Sequence, residues 1–543
     1  MAQVKKVTGN IVDVLNSTIY PGTLEISGGR IANIMKDNKT YDTFIVPGFI
    51  DSHVHIESSM LIPSEFARLA VIHGTVAIVS DPHEIANVLG IKGVNYMIEN
   101  GKTVPFKFYF GAPSCVPATT FETSGARLGI AEVEKLLKRE EIKYLSEMMN
   151  FPGVIFDAPS VMTKIQLAKK YGKKIDGHAP GLRGKELEKY VQSGISTDHE
   201  TFEKEEAIEK IKLGMKILIR EGSAAKDFDA LNSLIEEYPD YCMFCSDDKH
   251  PDDLIKGHIN EIVKKAIGLG YDRMKVLQCA SVNPVLHYGL EVGLLQKGDF
   301  ADFVVIDNFE TFTVLKTYIN GQLVAENGKS FIPKVKAKIN NNFKTRKKKV
   351  SDFVVKKEGE KIIVIEAIDG QLITNKIQEI PKVSNGYVVS DTDRDILKLT
   401  VVNRYEDVPP AKAFIKNFGL KKGAIASSVA HDSHNIVAVG VSDEDITKAV
   451  NLVIVNKGGL AVVYDGLEET LPLPIAGIMT NKDGFKVSEK YSKIDKLAKS
   501  LGSPLRAPFM TVSFMALLVI PRLKLSDKGL FDGEKFEFVD LFE

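Results

Sequence analysis

Short apolar runs recur through the first half of the chain, and each breaks off at a polar or glycine-containing stretch. They lie at residues 44–50, 75–79, 106–110, 144–148, 174–176, 194–197, 216–219 and 241–245. Longer stretches with helical character separate them. Alternation of this kind predicts βα units, and eight units predict a parallel (β/α)8 barrel whose functional groups sit on the loops at its C-terminal face. Residues 4–46 carry short alternating segments with turn signals at Gly9-Asn10, Pro21-Gly22 and Gly28-Gly29-Arg30, and similar β patterning returns at 301–306 and 314–324. Neither stretch closes a core alone, so the two ends are expected to pair in one small composite β-sandwich. From Val350 onward, glycine turns, β-branched runs and a helical patch at 442–450 predict a separate α+β domain. The expected division is 1–46 plus 297–345, then 47–296, then 346–543. The run Lys344-Thr-Arg-Lys-Lys-Lys349 is read as a solvated linker at the last boundary, not as a nucleic-acid patch.

Composition narrows the function classes. With 543 residues the chain exceeds one ordinary core, and 44% hydrophobic content marks it as globular. A formal net charge of -1 offers no electrostatic basis for binding nucleic acid or an anionic membrane. A small neutral substrate fits better. Four cysteines make no disulfide framework, and the start Met-Ala-Gln-Val-Lys-Lys has no apolar signal region, so a cytoplasmic location is expected. The apolar stretch 515–520 ends at Pro521, well short of the roughly 20 residues that span a bilayer. A homo-oligomer is expected, of undefined subunit number.

The candidate chemistry begins at Asp51-Ser-His53-Val-His55, which follows the first barrel run. Side chains two residues apart share a strand face, so Asp51, His53 and His55 are expected to enter one cavity, as a divalent metal requires. A pair of half-exposed loop histidines is the alternative. Further nitrogen and carboxylate groups end later runs: Ser80-Asp-Pro-His83-Glu84, Asp176-Gly-His178, Thr197-Asp-His199-Glu200 and Cys245-Ser-Asp247-Asp248-Lys-His250. Their repetition from loop to loop favours a site.

The order His53-x-His55, His178, His199, Asp247, closing with Gly298-Asp-Phe-Ala-Asp-Phe303, resembles the amidohydrolase superfamily over about residues 1–335. The longer stretches 47–59, 80–87, 177–181 and 246–253 look like those of bacterial and archaeal adenine deaminases. So do Ala430-His-Asp-Ser-His-Asn435 and Pro508-Phe-Met-Thr-Val-Ser-Phe514, which extend the resemblance over nearly the whole chain. It implies an α/β fold built on a metal-dependent TIM-like barrel that converts adenine to hypoxanthine and ammonia in purine salvage. It also implies His53, His55, His178, His199 and Asp247 as ligands of a divalent pair, with manganese or iron favoured and zinc acceptable. Many relatives bridge their metals with a carbamylated lysine; the resemblance implies a glutamate instead, and Glu147 fits. Lys143 competes on the same strand face, but four residues earlier it lies roughly 13 Å deeper.

The resemblance also sets the expected roles. A divalent pair lowers the pKa of water from about 15.7 towards 7, and Asp247 is the expected proton acceptor beside it. Attack at C6 of adenine puts charge on N1, which Glu84 or His83 could protonate; a helix cap is the alternative reading of that pair. Arg183, Ser223 and His250 are placed at the same mouth as candidate purine contacts. Strand parity turns Asp248 away. Cys242-Met-Phe-Cys245 is read as core, because residues three apart face opposite sides and no second pair completes a zinc site. His55-Ile-Glu57 with Cys242-x-x-Cys245 mimics another zinc deaminase signature, yet Tyr241 stands where proline belongs. His73 and His287 are read as structural. His431-Asp-Ser-His434 is expected to form a tight loop at a domain contact. Competing functions are a cyclic-amide hydrolase on the same barrel and a non-catalytic scaffold, which would be expected to lose ligands that this chain keeps.

Overall fold

The structure is a computed structural model and describes residues 4–543. Eight parallel strands form the barrel: β1 (Phe49–Val54), β2 (Thr75–Ser80), β3 (Lys107–Ala112), β4 (Ile142–Met148), β5 (Lys174–Gly177), β6 (Thr197–Asp198), β7 (Lys216–Arg220) and β8 (Cys242–Cys245). β1 to β5 pair in sequence as one parallel ladder, and β6 to β8 as another. Ser196 N–H donates to Ile175 O at 3.0 Å across the first seam. Beyond the end of β8, Asp247 N–H donates to His53 O at 2.9 Å and His55 N–H to Asp247 O at 3.1 Å. Ring closure therefore places the first and last of the expected ligands side by side. β1 and β2 are buried along their whole length, as strands covered on both faces must be; β2 accordingly reads as an apolar run, whereas β1 takes only Phe49 and Ile50 from the run 44–50, whose residues Phe44–Pro47 belong to the flanking sheet instead.

The two ends flanking the barrel do pair. Lys5–Asp13, Thr18–Ser27, Arg30–Lys36 and Phe44–Pro47 join Phe303–Ile306, Val314–Ile319, Gln322–Glu326 and Lys329–Ser330 in a single eight-stranded ladder. The junction is antiparallel, Val46 opposite Val304. One face gathers Ile11, Leu24, Ile45, Phe303 and Val305 into its own apolar cluster; the other sends Val12, Val46, Val304 and Ile306 into the barrel's.

A second eight-stranded sheet, running from Thr374–Glu379 to Leu467–Pro472, packs the helix Asp443–Val455 against it. This C-terminal part docks on the barrel: Gly484 N–H donates to Glu65 at 2.9 Å, Arg68 reaches Asp483 at 3.1 Å, and Asn435 donates to Thr123 O at 2.9 Å. The basic run is solvated at Lys344, Arg346, Lys347 and Lys349, which are exposed as expected of a linker, but it is tied down at two positions. Thr345 is buried and Lys348 is nearly so, its ammonium 2.7 Å from Asp407, because the segment lies along the second sheet. Cys115, Cys242, Cys245 and Cys279 are free and buried. Among the described residues no helix is long and apolar enough to cross a membrane.

Candidate active site

The C-terminal ends of the barrel strands converge on Glu147, at the end of β4. One carboxylate oxygen lies 3.3 Å from His55 Nε2, 3.9 Å from His53 Nε2 and 3.4 Å from His83 Nδ1. The other lies 2.7 Å from His178 Nδ1 and 3.3 Å from His199 Nε2. Asp247 Oδ1 sits 3.1 Å from His55 Nε2 and 3.5 Å from His53 Nε2. The two Nε2 atoms of His53 and His55 are only 3.2 Å apart. His55 Nδ1 is 3.1 Å from Asp81 O and donates its proton there, so its Nε2 carries the lone pair that faces Glu147 and Asp247. Imidazole nitrogens and carboxylate oxygens converging this closely repel without a cation between them, and their mixture suits a divalent metal. Overlapping groups, His53–His199–Asp247 and Glu147–His178–His199, bring their donor atoms within 4.8 Å of one another. The residues present therefore fit the metal that the chemistry demands. Lys143 is half-buried among Phe106, Phe108, Glu141 and Glu291, at the far end of β4.

Behind these groups lies a buried layer of ion pairs. Arg220, at the end of β7, donates to Asp247 Oδ2 at 2.7 Å, to both oxygens of Glu200 at 2.5 and 3.0 Å, and to Asp227 at 3.0 Å. Burial would raise the Asp247 carboxyl, but the close approach of His53 and His55 and the Arg220 charge hold it well below its usual range. Burial opposes ionisation of Glu147 too, and the surrounding imidazoles, His199 foremost, reverse it. Asp51 does not join the ligands. It accepts from Ser246 N–H at 3.0 Å and from His258 Nε2 at 2.8 Å, one layer deeper in the barrel. Sharing a face with His53 does not give it the same depth.

The outer half of the cavity has a different composition. His83 and Glu84 open the helix His83–Leu89; Asp81, one residue before the cap residue Pro82, accepts His83 N–H at 3.0 Å, and the side chains of His83 and Glu84 both line the cavity. Glu57, from the deceptive His-x-Glu motif, accepts Ile85 N–H at 3.1 Å. Asp248 also lines the cavity, contrary to strand parity. Asp247 adopts a left-handed φ of 53°, which breaks the alternation and turns Asp248 towards Ser58, its hydrogen-bond donor. The C-terminal part supplies the rest: Leu372, His431, Asp432, Phe514, Leu517 and Val519. The tight loop expected around His431 is indeed at a domain contact, but its side chains are part of the site wall. The cavity between them measures about 30 Å³.

Three expected purine contacts fall elsewhere. Arg183 points into solvent and pairs with Glu203 at 2.7 Å, because its loop turns away from the barrel axis. Ser223 is buried and donates to Asp253 at 2.7 Å. His250 is buried against the Tyr491 hydroxyl, burial pushing its imidazole down to about 3. Arg183→Ala should therefore leave kcat and KM for the natural substrate within about twofold, a surface change far from the reacting atoms; a loss of tenfold or more in KM would return Arg183 to the site. Glu200, Arg220, Asp248, His431, Asp432 and His434 escaped the sequence reading as functional groups. Glu200 and Asp248 carried a signal as neighbours of His199 and Asp247, and His431, Asp432 and His434 as members of the stretch 430–435 that carries the resemblance; Arg220 carried none.

A barrel with this ligand order has known relatives. Residues 44–324 match the amidohydrolase family, and residues 371–537 match the adenine deaminase C-terminal domain. Fold and site together thus define an amidohydrolase, a class that works with a divalent metal. An adenine deaminase of Sulfurovum sp. (strain NBC37-1) is 58% identical over 535 residues, 98% of each chain. One from Methanosarcina mazei is 53% identical over 551 residues, 99% of each. One from Salinibacter ruber is 53% identical over 538 residues, covering 99% of this chain and 98% of its own. The chain belongs to the adenine deaminase family.

Proposed function

We propose that this chain hydrolyses adenine to hypoxanthine and ammonia at the cavity above Glu147, in purine salvage. The observation that carries the reading is the placement of one carboxylate, Glu147, among His53, His55, His178 and His199 with Asp247 alongside, next to a pocket closed by a domain that the adenine deaminases share. His53, His55, His178, His199, Glu147 and Asp247 would hold a pair of divalent cations, Glu147 shared between them, with manganese or iron preferred and zinc acceptable. Such cations supply an acidified water at neutral pH.

The chain's own residues do the remaining work. Asp247 accepts the proton of the attacking water and returns it to the departing amine. The side of the cavity held by His83 and Glu84 serves the purine ring, whose N1 gains electron density as the C6 centre becomes tetrahedral. Arg220 keeps Asp247 aimed by binding its second oxygen. We divide the chain accordingly into a catalytic barrel (47–296), a composite β-sandwich domain (1–46 with 297–345) and an α+β domain (346–543) that covers the site. A cytoplasmic homo-oligomer completes the proposal; light scattering on purified protein would report the subunit number.

Ammonia release, measured with protein reconstituted separately with manganese, iron or zinc, tests the function against adenine, adenosine, cytosine and hydantoin. Adenine should be turned over and adenosine should not, because a ribose on N9 would have to fit past Phe514 and Leu517. Equal turnover of adenosine, or ring opening of hydantoin without adenine turnover, would refute the reading.

A further inference from the structure

His431 is carried by the C-terminal part of the chain, more than 300 residues beyond Glu84, yet its Nδ1–H donates to Glu84 Oε1. Its ring is stacked on Phe514 with centroids 5.1 Å apart, and its backbone N–H donates to Ser513 Oγ at 3.3 Å. The opposite nitrogen, Nε2, is buried without a hydrogen-bond partner; its nearest anion is Asp248 Oδ1 at 3.8 Å, and the residue lines the catalytic cavity. A buried imidazole with one nitrogen anchored and the other unpaired beside the reaction space has a polar group in reserve for a ligand. Glu84 cannot fill the same role. One of its oxygens accepts from His431, and the other is 2.5 Å from His434 Nε2. His434 Nδ1 accepts Ala430 N–H at 3.2 Å, so the proton of a neutral His434 is on the nitrogen facing Glu84. One hydrogen bond from His431 and the nearby His431, His434 and His83 imidazoles hold the Glu84 carboxyl well below its usual range despite burial, so it is an ionised acceptor rather than an acid.

We propose that His431 is a further catalytic residue of the deamination: its Nε2 meets the purine ring and gives a proton to N1 as water adds at C6. This rests on the adenine reading above. In the addition step the O–C6 bond forms, the electron pair of the N1–C6 double bond moves to N1, N1 takes the proton from Nε2, and Asp247 takes one proton from the water. In the collapse step the C6–N bond breaks and the amine leaves as ammonia with the proton from Asp247. The remaining hydroxyl proton on C6 is released as the carbonyl forms, and solvent returns a proton to His431, so the sum consumes one water. The groups facing His431 are Glu84, Asp248, Asp432 and His434, and Phe514 covers its ring. Burial works against the charged imidazole, but Glu84 and Asp248 outweigh it and raise its pKa to about 9.

The test is His431→Gln, which keeps a side-chain N–H donor but cannot transfer a proton. At full metal content kcat on adenine should fall by about 10²-fold or more, while calorimetric binding of hypoxanthine stays within a few-fold of the parent. A variant at full metal content that keeps kcat within about threefold of the parent overturns the assignment. Should the variant fail to fold or load metal, the parent's pH profile decides: the charged form is present below the raised pKa, so kcat should decline as pH rises through about 9. A rate that holds steady well beyond that pH overturns it equally. A parent without adenine turnover refutes the reading of the site itself, and this inference with it.

Discussion

Glu147→Gln should strip metal and activity together. Glu147 lies within 4 Å of His53, His55, His83, His178 and His199, with each oxygen facing a different subset of them. An amide keeps the shape but loses the charge, and it presents one donor NH2 where a second acceptor oxygen stood. With the central carboxylate neutralised, Asp247 beside His53 and His55 is the anion left closest to the imidazoles, and two cations are held far less well. Ligand-sphere changes of this kind cost metal affinity by about 10-fold to 100-fold even when made one shell further out, so a larger loss is expected here. Elemental analysis after dialysis, alongside ammonia release, measures both. Lys143→Gln, at the other end of β4, should change neither. Metal loss in Lys143→Gln with retention in Glu147→Gln would mean that a modified lysine, and not Glu147, holds the pair.

That these side chains meet at one rim was legible in the sequence because closure of a parallel barrel leaves little freedom, although Glu147 was singled out by the resemblance and not by the pattern. Every strand must end at the same rim, so polar groups that terminate apolar runs, such as His53, His55, Glu147, His178 and Asp247, are gathered there whatever the loops do. Depth along a strand was less legible. Asp51 shares the face of His53 but lies roughly 6.6 Å further from the mouth at two residues' rise, and it bonds with Ser246 and His258 instead. Parity failed at Asp248 for a local reason, the left-handed φ at Asp247, which no alternation pattern announces. Loop side chains have no period at all, and Arg183 and Ser223 were placed by proximity to motifs rather than by geometry. The largest omission was of another kind. His431, Asp432 and His434 reach the site only through docking of a separately patterned region, and nothing in the spacing of residues 1–335 points to a partner so distant along the chain.

Asp247→Asn separates metal holding from proton transfer, and kcat should fall by about 10² to 10⁴ with much of the metal retained. The amide oxygen can still face His53 and His55, and Arg220 still has Glu200 and Asp227 to hold it in place. What the amide cannot do is accept the proton of the attacking water or carry it to the amine. Asp248→Asn should behave differently. Its carboxylate accepts from Ser58 and faces the His431 side of the cavity, and of the converging histidines it approaches His55, so the change should appear mainly in KM, with kcat reduced by about tenfold at most on the scale of one lost hydrogen bond to a charged group. Steady-state kinetics on both variants at measured metal occupancy discriminate the two roles. If Asp248→Asn lost more in kcat than Asp247→Asn, the proton acceptor would be the residue that the left-handed turn swings outward, and the assignment at the end of β8 would have to be exchanged.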